Sequence, residues 1–473
     1  MRSMALQSKL NAQRAPLIGE YHQLVILASF KDKTFTDEEP LEKWNMIFNQ
    51  KDFREQPFYG SVHDYFYDQS YGKFNLHFDL YHVKLDKNSS IYRSSEFKYE
   101  KDDQWYADDT GCGLLLTHLL DAMKDQVEDW SVYDWNSDGF VDQVFILFAG
   151  KGQNDGGGSN SIWPNQWSLT EMGEEPYFKE WGHPYDLSDT GWNLQVDNYG
   201  CFGELTAKGN YAFGTLCHEY GHCLGLPDFY YGSSSQVVGT WDVMDYGNNN
   251  LGGYCPPGYS AHERMVLGWL DVQELTEPTS LSDIKPLGEG GEAYLIRNDG
   301  YENEYYIVEN RQQTGWDQSL PGSGVVVFHI DYDEKVWENG VPNSSTLKRY
   351  SIIPANNRSS VSSSSTWPYP FQLNDALTNT SAPKASLIHP NLNGEKLMSK
   401  PITAISVTDG LASFDFMGGS TAVSPITVTG DDASYVVYTL QGRMVGTNLN
   451  ALPTGIYIIR NARGETRKVR ILN

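Results

Sequence analysis

The 473-residue sequence has few cysteines and no long apolar run. Its five cysteines are odd in number and form no Cys-x-x-Cys pair, so at most two disulfides can form and a dense disulfide scaffold is excluded. No apolar run reaches about 18 residues, the length needed for an ordinary membrane-spanning helix. These absences predict a globular protein that depends on apolar cores and has no transmembrane segment.

Basic side chains are also scarce, because 35 Lys and Arg residues face 61 Asp and Glu residues and give a net charge of −26. A nucleic-acid partner is therefore not expected, since binding phosphates needs a basic surface. The acidic excess is compatible with a secreted protein or with bound divalent cations. Residues 1–16 are polar and lack the apolar centre of a signal peptide, so we expect either a cytosolic protein or one whose signal sequence has been removed.

A string typical of zinc hydrolases lies in the middle of the chain. His218 and His222 are four residues apart on a predicted helix, which places both imidazoles on one face, and Glu219 follows the first histidine. Gly225 is placed to end the helix and Asp228 lies six residues beyond His222. Two histidines at this spacing are often a structural pair, but the whole string His-Glu-x-x-His-x-x-Gly-x-x-Asp predicts a zinc site with a carboxylate base.

Residues downstream of this string extend the predicted site. Met244 in a tight turn is expected to form an apolar floor beneath the metal, although a methionine in an ordinary core turn is the alternative. Tyr246 is expected to present its hydroxyl to the metal or to an oxyanion. The third zinc ligand stays open between Asp228, favoured by spacing, and Glu263.

A second metal site is predicted in an acidic loop before a buried strand. Its oxygen-bearing side chains stand at alternate positions and a glycine follows where the backbone must turn, as in the first half of a calcium-binding loop. The loop differs from an EF-hand because Phe145 stands at the twelfth position instead of glutamate, and an acidic turn without metal is the alternative. The predicted calcium ligands are Asp134, Asn136, Asp138 and Asp142.

These strings together resemble the immune inhibitor A family of secreted bacterial metallopeptidases, which are zincins with a Met-turn. The resemblance covers most of residues 21–420. It implies His218 and His222 as zinc ligands, Glu219 as general base and acid, Met244 as the Met-turn residue, and a protein or peptide substrate. The matching strings are residues 60–66, 69–74, 134–142, 162–164, 218–228, 241–247 and 259–269.

The last fifty residues resemble the C-terminal sorting domain of proteins exported through the type IX secretion system. The resemblance rests on three strand-like strings, residues 436–445, 452–459 and 467–472. It implies contact with the secretion machinery, a signal peptide that was trimmed, and a secreted or cell-surface-attached protein.

The expected fold class is α+β, with a zincin-like catalytic domain (a twisted mixed sheet plus an active-site helix), a β-rich domain and a small C-terminal β-sandwich. Strands are expected at residues 23–30, 75–81, 144–149, 304–311 and 324–331, and helices within 60–72, at 113–127 and from about 211. Residues 161–213 are expected to be irregular loops. The predicted divisions are a leader or pro-segment remnant (1–20), catalytic domain (21–272), β-rich domain (273–418), linker (419–425) and sorting-like domain (426–473).

The predicted function is that of a secreted zinc endopeptidase with Glu219 as general base. One alternative is a cell-surface binding protein with a structural zinc, in which the β-rich C-terminal half carries the function. Glu219 argues against it, because a closed structural site has no use for a base beside an open metal position. A glycan hydrolase is the third possibility, and no carboxylate pair stands out to support it.

Overall fold

The structure is a computed structural model. It describes residues 17–93, 95–98, 105–108, 111–174, 182–232, 235–419, 435–439, 442–447, 452–453, 455–461 and 466–471. Most of the predicted leader and almost all of the predicted linker lie outside these residues. The described helices are α1 (Pro40–Asn49), α2 (Val62–Gln69), α3 (Gly111–Met123), α4 (Leu169–Glu174), α5 (Phe213–Cys223), α6 (Ala261–Val266) and α7 (Glu334–Glu338).

A five-stranded mixed sheet forms the centre of the N-terminal region. Its order is β2-β1-β6-β10-β7, with three parallel pairings and an antiparallel edge strand, β7. Apolar layers pack on both faces, as expected for a largely parallel sheet. The strands of this region are β1 (Gly19–Ser29), β2 (Phe74–Lys84), β3 (Ser95–Lys98), β4 (Trp105–Asp108), β5 (Phe140–Val141), β6 (Val144–Lys151), β7 (Asn165–Ser168), β8 (Tyr185–Asp186), β9 (Gln195–Val196) and β10 (Asn198–Leu205).

The expectation of irregular loops across residues 161–213 is wrong, because this stretch supplies β10, a buried strand between β6 and β7. Its sequence, Asn-Tyr-Gly-Cys-Phe-Gly-Glu-Leu, contains two glycines and lacks the β-branched residues that mark a strand. Gly200 is required by packing, because a Cβ there would lie 2.8 Å from the ring of Phe145 on β6. Glycine is therefore needed for the close approach of two strands, and the local sequence of β10 lacks the pattern that predicts a strand.

Helix α2 packs beside β2 and begins with a capping box. The Ser61 hydroxyl accepts a hydrogen bond from the Asp64 N–H, and the Asp64 carboxylate accepts one from the Ser61 N–H. Two N–H groups that a helix start leaves unpaired are thereby satisfied.

Residues 273–419 form two further sheets, one with order β11-β13-β14-β15-β16 and one with order β12-β18-β17. The apolar core on one side of the central sheet continues without interruption into this region, from Val25 to Trp367. One core thus spans residue 272 and a further core lies wholly within residues 275–416, and the domain boundary at residue 272 stays a prediction. The strands are β11 (Gln273–Glu274), β12 (Thr279–Ile284), β13 (Tyr294–Arg297), β14 (Glu304–Arg311), β15 (Gly324–Asp331), β16 (Tyr350–Ile352), β17 (Ile402–Thr408) and β18 (Leu411–Phe416).

The described C-terminal residues form one antiparallel sheet of order β20-β19-β21-β22. The second layer that a β-sandwich needs stays a prediction. Across the described part of the chain, no helix has both the length and the apolar character to cross a membrane. These strands are β19 (Tyr435–Thr439), β20 (Met444–Gly446), β21 (Gly455–Asn461) and β22 (Thr466–Ile471).

Candidate metal centre

Helix α5 carries the His-Glu-x-x-His string. Phe213, Leu216 and Tyr220 are buried at three- and four-residue spacing, so one face of the helix is fixed in the core. The helix ends at Cys223, and Gly225 follows the C-cap Leu224 with a φ of 94°, a left-handed conformation that glycine adopts without a Cβ clash. The Leu226 N–H then donates to the Gly221 carbonyl, and the chain turns back toward the helix. This reversal brings the residues after Gly225 alongside the histidines.

The structure brings His218, His222 and Asp228 together. Asp228 Oδ1 lies 3.2 Å from His218 Nε2 and 3.3 Å from His222 Nε2, and the ligand atoms of all three residues lie within 4.8 Å of one another. Among the described residues, this is the one group of three or more histidine, cysteine or acidic side chains with that spacing. The size of the cluster suits a single ion.

Backbone carbonyls fix the orientation of both imidazoles. His218 Nδ1 lies 2.8 Å from the Val243 carbonyl and His222 Nδ1 lies 2.8 Å from the Leu226 carbonyl. Because a carbonyl only accepts, each Nδ1 carries a proton, and Nε2 is the ring nitrogen that faces Asp228. Asp228 Oδ1 is buried and receives no hydrogen bond. Once both Nε2 atoms have lost their protons, these two nitrogens and Asp228 Oδ1 fit a zinc ion, which prefers nitrogen and carboxylate ligands.

The electrostatics of the cluster favour positive charge at its centre. Burial lowers the pKa of His222, but the Asp228 carboxylate more than offsets this and raises that pKa to about 9. For His218 burial again acts downward, and the same carboxylate leaves its pKa raised. Burial raises the pKa of Asp228, yet the two histidines hold it well below its usual range. Asp228 therefore favours positive charge on the two imidazoles, and a metal ion would have to displace the proton from each Nε2.

Glu219 lies on α5 and Met244 lies beneath it, and their roles as a base and as the floor of a metal site stay predictions. The Glu219 side chain is half-buried on α5, and its negative charge acts on both histidines. Met244 is completely buried under the helix, opposite Gly221. A Cβ at Gly221 would lie 2.6 Å from the Met244 sulfur, so the close approach of this turn to α5 depends on glycine.

Tyr230 borders the cluster, and the predicted site residue Tyr246 contacts Tyr230. Tyr246 is half-buried and its ring meets that of Tyr230 edge-on at 6.1 Å. Tyr230, which was missed, lies nearly parallel to the His218 ring at 6.4 Å. Burial raises the pKa of Tyr230, and the negative charges of Asp228 and Glu219 raise it further, which places its hydroxyl near both carboxylates. Its position two residues after Asp228 is the feature of the sequence that could have indicated a place near the cluster.

Glu263 lies outside the His218, His222 and Asp228 cluster. It is fully buried at the start of α6, where its Oε2 accepts hydrogen bonds from the N–H and the hydroxyl of Ser260. Burial raises the pKa of Glu263, and the nearby Asp242 carboxylate raises it further. The side chain therefore belongs to a buried network behind the Met244 turn.

The acidic loop before β6 folds around its own backbone N–H groups. Asp134 accepts hydrogen bonds from the N–H groups of Asp138 and Gly139, and Asp138 accepts one from Phe140. Asp142 accepts a bond of 2.5 Å from the Trp135 N–H. Gly139, at φ 93°, supplies the expected sharp turn. The turn geometry agrees with the sequence pattern, and calcium binding by Asp134, Asn136, Asp138 and Asp142 stays a prediction.

All five cysteines are free thiols. Cys217 is fully buried in the core, and the Cys223 thiol donates to the Glu219 carbonyl within α5. Neither sulfur belongs to the metal cluster.

Known proteins that are similar to this chain include two bacterial relatives. The chain is 30% identical over 154 residues to immune inhibitor A from Bacillus thuringiensis subsp. alesti, an alignment that covers 29% of this chain and 21% of that protein. It is 27% identical over 168 residues to the pre-pro-metalloprotease PrtV of Vibrio cholerae serotype O1, covering 30% of this chain and 17% of that protein. The matches thus span about a fifth of the length of these relatives.

A family model described as the catalytic domain of immune inhibitor A peptidase M6 matches residues 21–266. The matched range includes the central sheet, α5 and the whole metal cluster. Because it covers more than half of the chain, this protein belongs to the immune inhibitor A peptidase M6 family.

Proposed function

We propose that this protein is a secreted zinc-dependent endopeptidase. The observation that carries the proposal is the convergence of His218 Nε2, His222 Nε2 and Asp228 Oδ1. His218 and His222 are the proposed nitrogen ligands and Asp228 is the proposed third ligand. Glu263 is not proposed as a ligand, because its carboxylate is bonded to Ser260 inside the protein.

The chain's own residues perform the proton transfers in this proposal. Bound zinc would supply the Lewis acidity that polarises a peptide carbonyl and acidifies a water molecule. Glu219, next to the cluster and half-exposed, takes the proton of the attacking water and later gives it to the leaving amine. Tyr230, which lies against His218, and Tyr246, which contacts Tyr230, are the proposed hydroxyl donors to the developing oxyanion.

The edge strand β7 gives a peptide substrate a place to bind. It is the last strand of the central sheet, it runs antiparallel to β10, and it contacts α5. An extended peptide adds to such an edge through main-chain hydrogen bonds, which are independent of sequence. We propose that the substrate pairs with β7 and thereby passes the cluster in an extended conformation.

The proposal also includes calcium binding, secretion and a role for the C-terminal sheet. We propose that the loop of Asp134, Asn136, Asp138 and Asp142 binds calcium, which would neutralise its carboxylates and raise the Tm on calcium addition. The net charge of −26 suits an extracellular protein. The C-terminal sheet is proposed to contact the secretion machinery.

Casein cleavage by the wild type and by Glu219→Gln tests the function. The wild type should cleave casein, lose activity to a zinc chelator, and leave a mucin glycan intact. Glu219→Gln should retain one zinc per chain and lose cleavage, because the amide accepts no proton. Casein cleavage retained in Glu219→Gln would refute the assignment, and chelator-insensitive release of glycan would favour the hydrolase alternative.

A further inference from the structure

The loop that carries Asp228 is held by a distant part of the chain. Residues 340–350, which connect α7 to β16, contact three of the four residues from Asp228 to Tyr231; we call residues 340–350 the clamp. The Asp228 N–H donates to the Gly340 carbonyl at 2.9 Å. The Lys348 ammonium group lies 3.4 Å from the centre of the Tyr231 ring. The remaining residue, Tyr230, points toward His218 instead.

Asn343 is the centre of the clamp. Its side chain is buried, and its Nδ2 donates to the carbonyls of Phe229 at 2.8 Å and Tyr350 at 2.9 Å. Its Oδ1 accepts the Tyr350 N–H at 3.0 Å. One amide group thus joins the start of β16 to the residue next to Asp228. Because buried amide groups are costly to leave unpaired, these bonds fix the loop firmly.

Tyr350 connects the clamp to the other side of the metal cluster. Its ring stacks on Phe229 with centroids 3.6 Å apart. Its hydroxyl donates to Asp242 Oδ2 at 2.7 Å, and Asp242 Oδ1 accepts the N–H of Met244 at 2.8 Å. This turn contains the Val243 carbonyl to which His218 Nδ1 is bonded.

We propose that Asn343 and Tyr350 are positioning residues of the metal centre, so that the functional unit of this peptidase extends beyond the matched residues 21–266 to include the clamp. The inference rests on the proposed zinc site. Groups that orient metal ligands commonly change metal affinity by about 10- to 100-fold when they are removed. The clamp holds the backbone of Asp228 directly and the His218 ring through the Met244 turn. Disrupting the clamp should therefore lower zinc affinity by a factor in that range.

The test compares two tyrosine hydroxyls in the full-length protein. Tyr350→Phe removes the hydrogen bonds of its hydroxyl with Asp242 and Ser260 and leaves the ring on Phe229. Tyr306→Phe is the matched control, because Tyr306 is also buried and its hydroxyl donates to the Ser386 carbonyl in a different core. Zinc affinity is measured by competition with a chelator, and hydrogen exchange of residues 228–231 is measured in the metal-free proteins.

Tyr350→Phe should weaken zinc binding about tenfold or more and speed amide exchange in residues 228–231. Tyr306→Phe should change neither quantity, even where both variants lose similar stability. Unchanged zinc affinity in a folded Tyr350→Phe, or an equal loss in Tyr306→Phe, would overturn the proposal.

Lys348→Met keeps the test decisive if Tyr350→Phe fails to fold. Lys348 is half-exposed, and loss of its charge over the Tyr231 ring should weaken zinc binding about two- to fivefold. Wild-type affinity in that variant would contradict the clamp. A wild type that binds no zinc would instead refute the proposed metal centre, and the exchange measurement would still test the clamp.

Discussion

Replacing Gly221 by alanine tests how closely α5 approaches the Met244 turn. The added Cβ would lie 2.6 Å from the Met244 sulfur and 2.9 Å from the Tyr259 hydroxyl oxygen, and both residues are completely buried. Alanine in place of glycine stabilises a helix interior by about 1 kcal/mol. Overpacking a core costs about 1–3 kcal/mol, and two simultaneous clashes favour the upper half of that range. The expected net loss in free energy of unfolding is therefore about 1–2 kcal/mol.

Urea unfolding of the metal-free protein measures this loss. The double variant Gly221→Ala/Met244→Ala serves as the control, since the smaller side chain makes room for the added methyl group. Its destabilisation should be smaller than the sum of the two single variants by about 1 kcal/mol or more. A Gly221→Ala protein that is more stable than the wild type would show that helix propensity alone sets the stability change at this position. That result would contradict the close packing of α5 against Met244 and Tyr259.

Two further outcomes concern the tyrosines and acid stability. Tyr246→Phe and Tyr230→Phe should each lower kcat for peptide cleavage with little change in KM. The loss in kcat should reach about 100-fold for the tyrosine whose hydroxyl contacts the oxyanion, and an unchanged kcat in both variants would contradict this role. Burial raises the pKa of Asp64, but His63 and three backbone N–H groups lower it to about 2. The ionised carboxylate therefore stabilises the fold above about pH 4, and this contribution is lost as the pH falls toward 2. Asp64→Asn should therefore reduce the free energy of unfolding by about 1–2 kcal/mol at pH 7, by a smaller amount at pH 3, and an unchanging difference would contradict the linkage.

Local patterns predicted the elements whose own sequence decides their structure. The alternating apolar strings predicted β14 and β15 with the bounds that the structure has, Glu304–Arg311 and Gly324–Asp331. The histidine spacing predicted α5 and the position of Glu219 on it. In each case the informative residues lie within one or two turns or one strand.

Features that depend on distant contacts were not predictable in this way. Strand β10 was not predicted because its Gly200 is required by the packing of Phe145 on a neighbouring strand. The clamp was missed because Asn343 meets Phe229 across 114 residues, a distance over which no spacing rule applies. The position of Glu263 behind the Met244 turn likewise follows from packing against the β-rich region.

The zinc content of three proteins tests the central claim most directly. The wild type, Asp228→Ala and Glu263→Gln are purified, equilibrated with zinc and analysed for bound metal. The wild type and Glu263→Gln should each hold one zinc per chain, whereas Asp228→Ala should hold zinc weakly and lose it to dialysis. Tight zinc binding by Asp228→Ala together with its loss in a folded Glu263→Gln would contradict the centre formed by His218, His222 and Asp228.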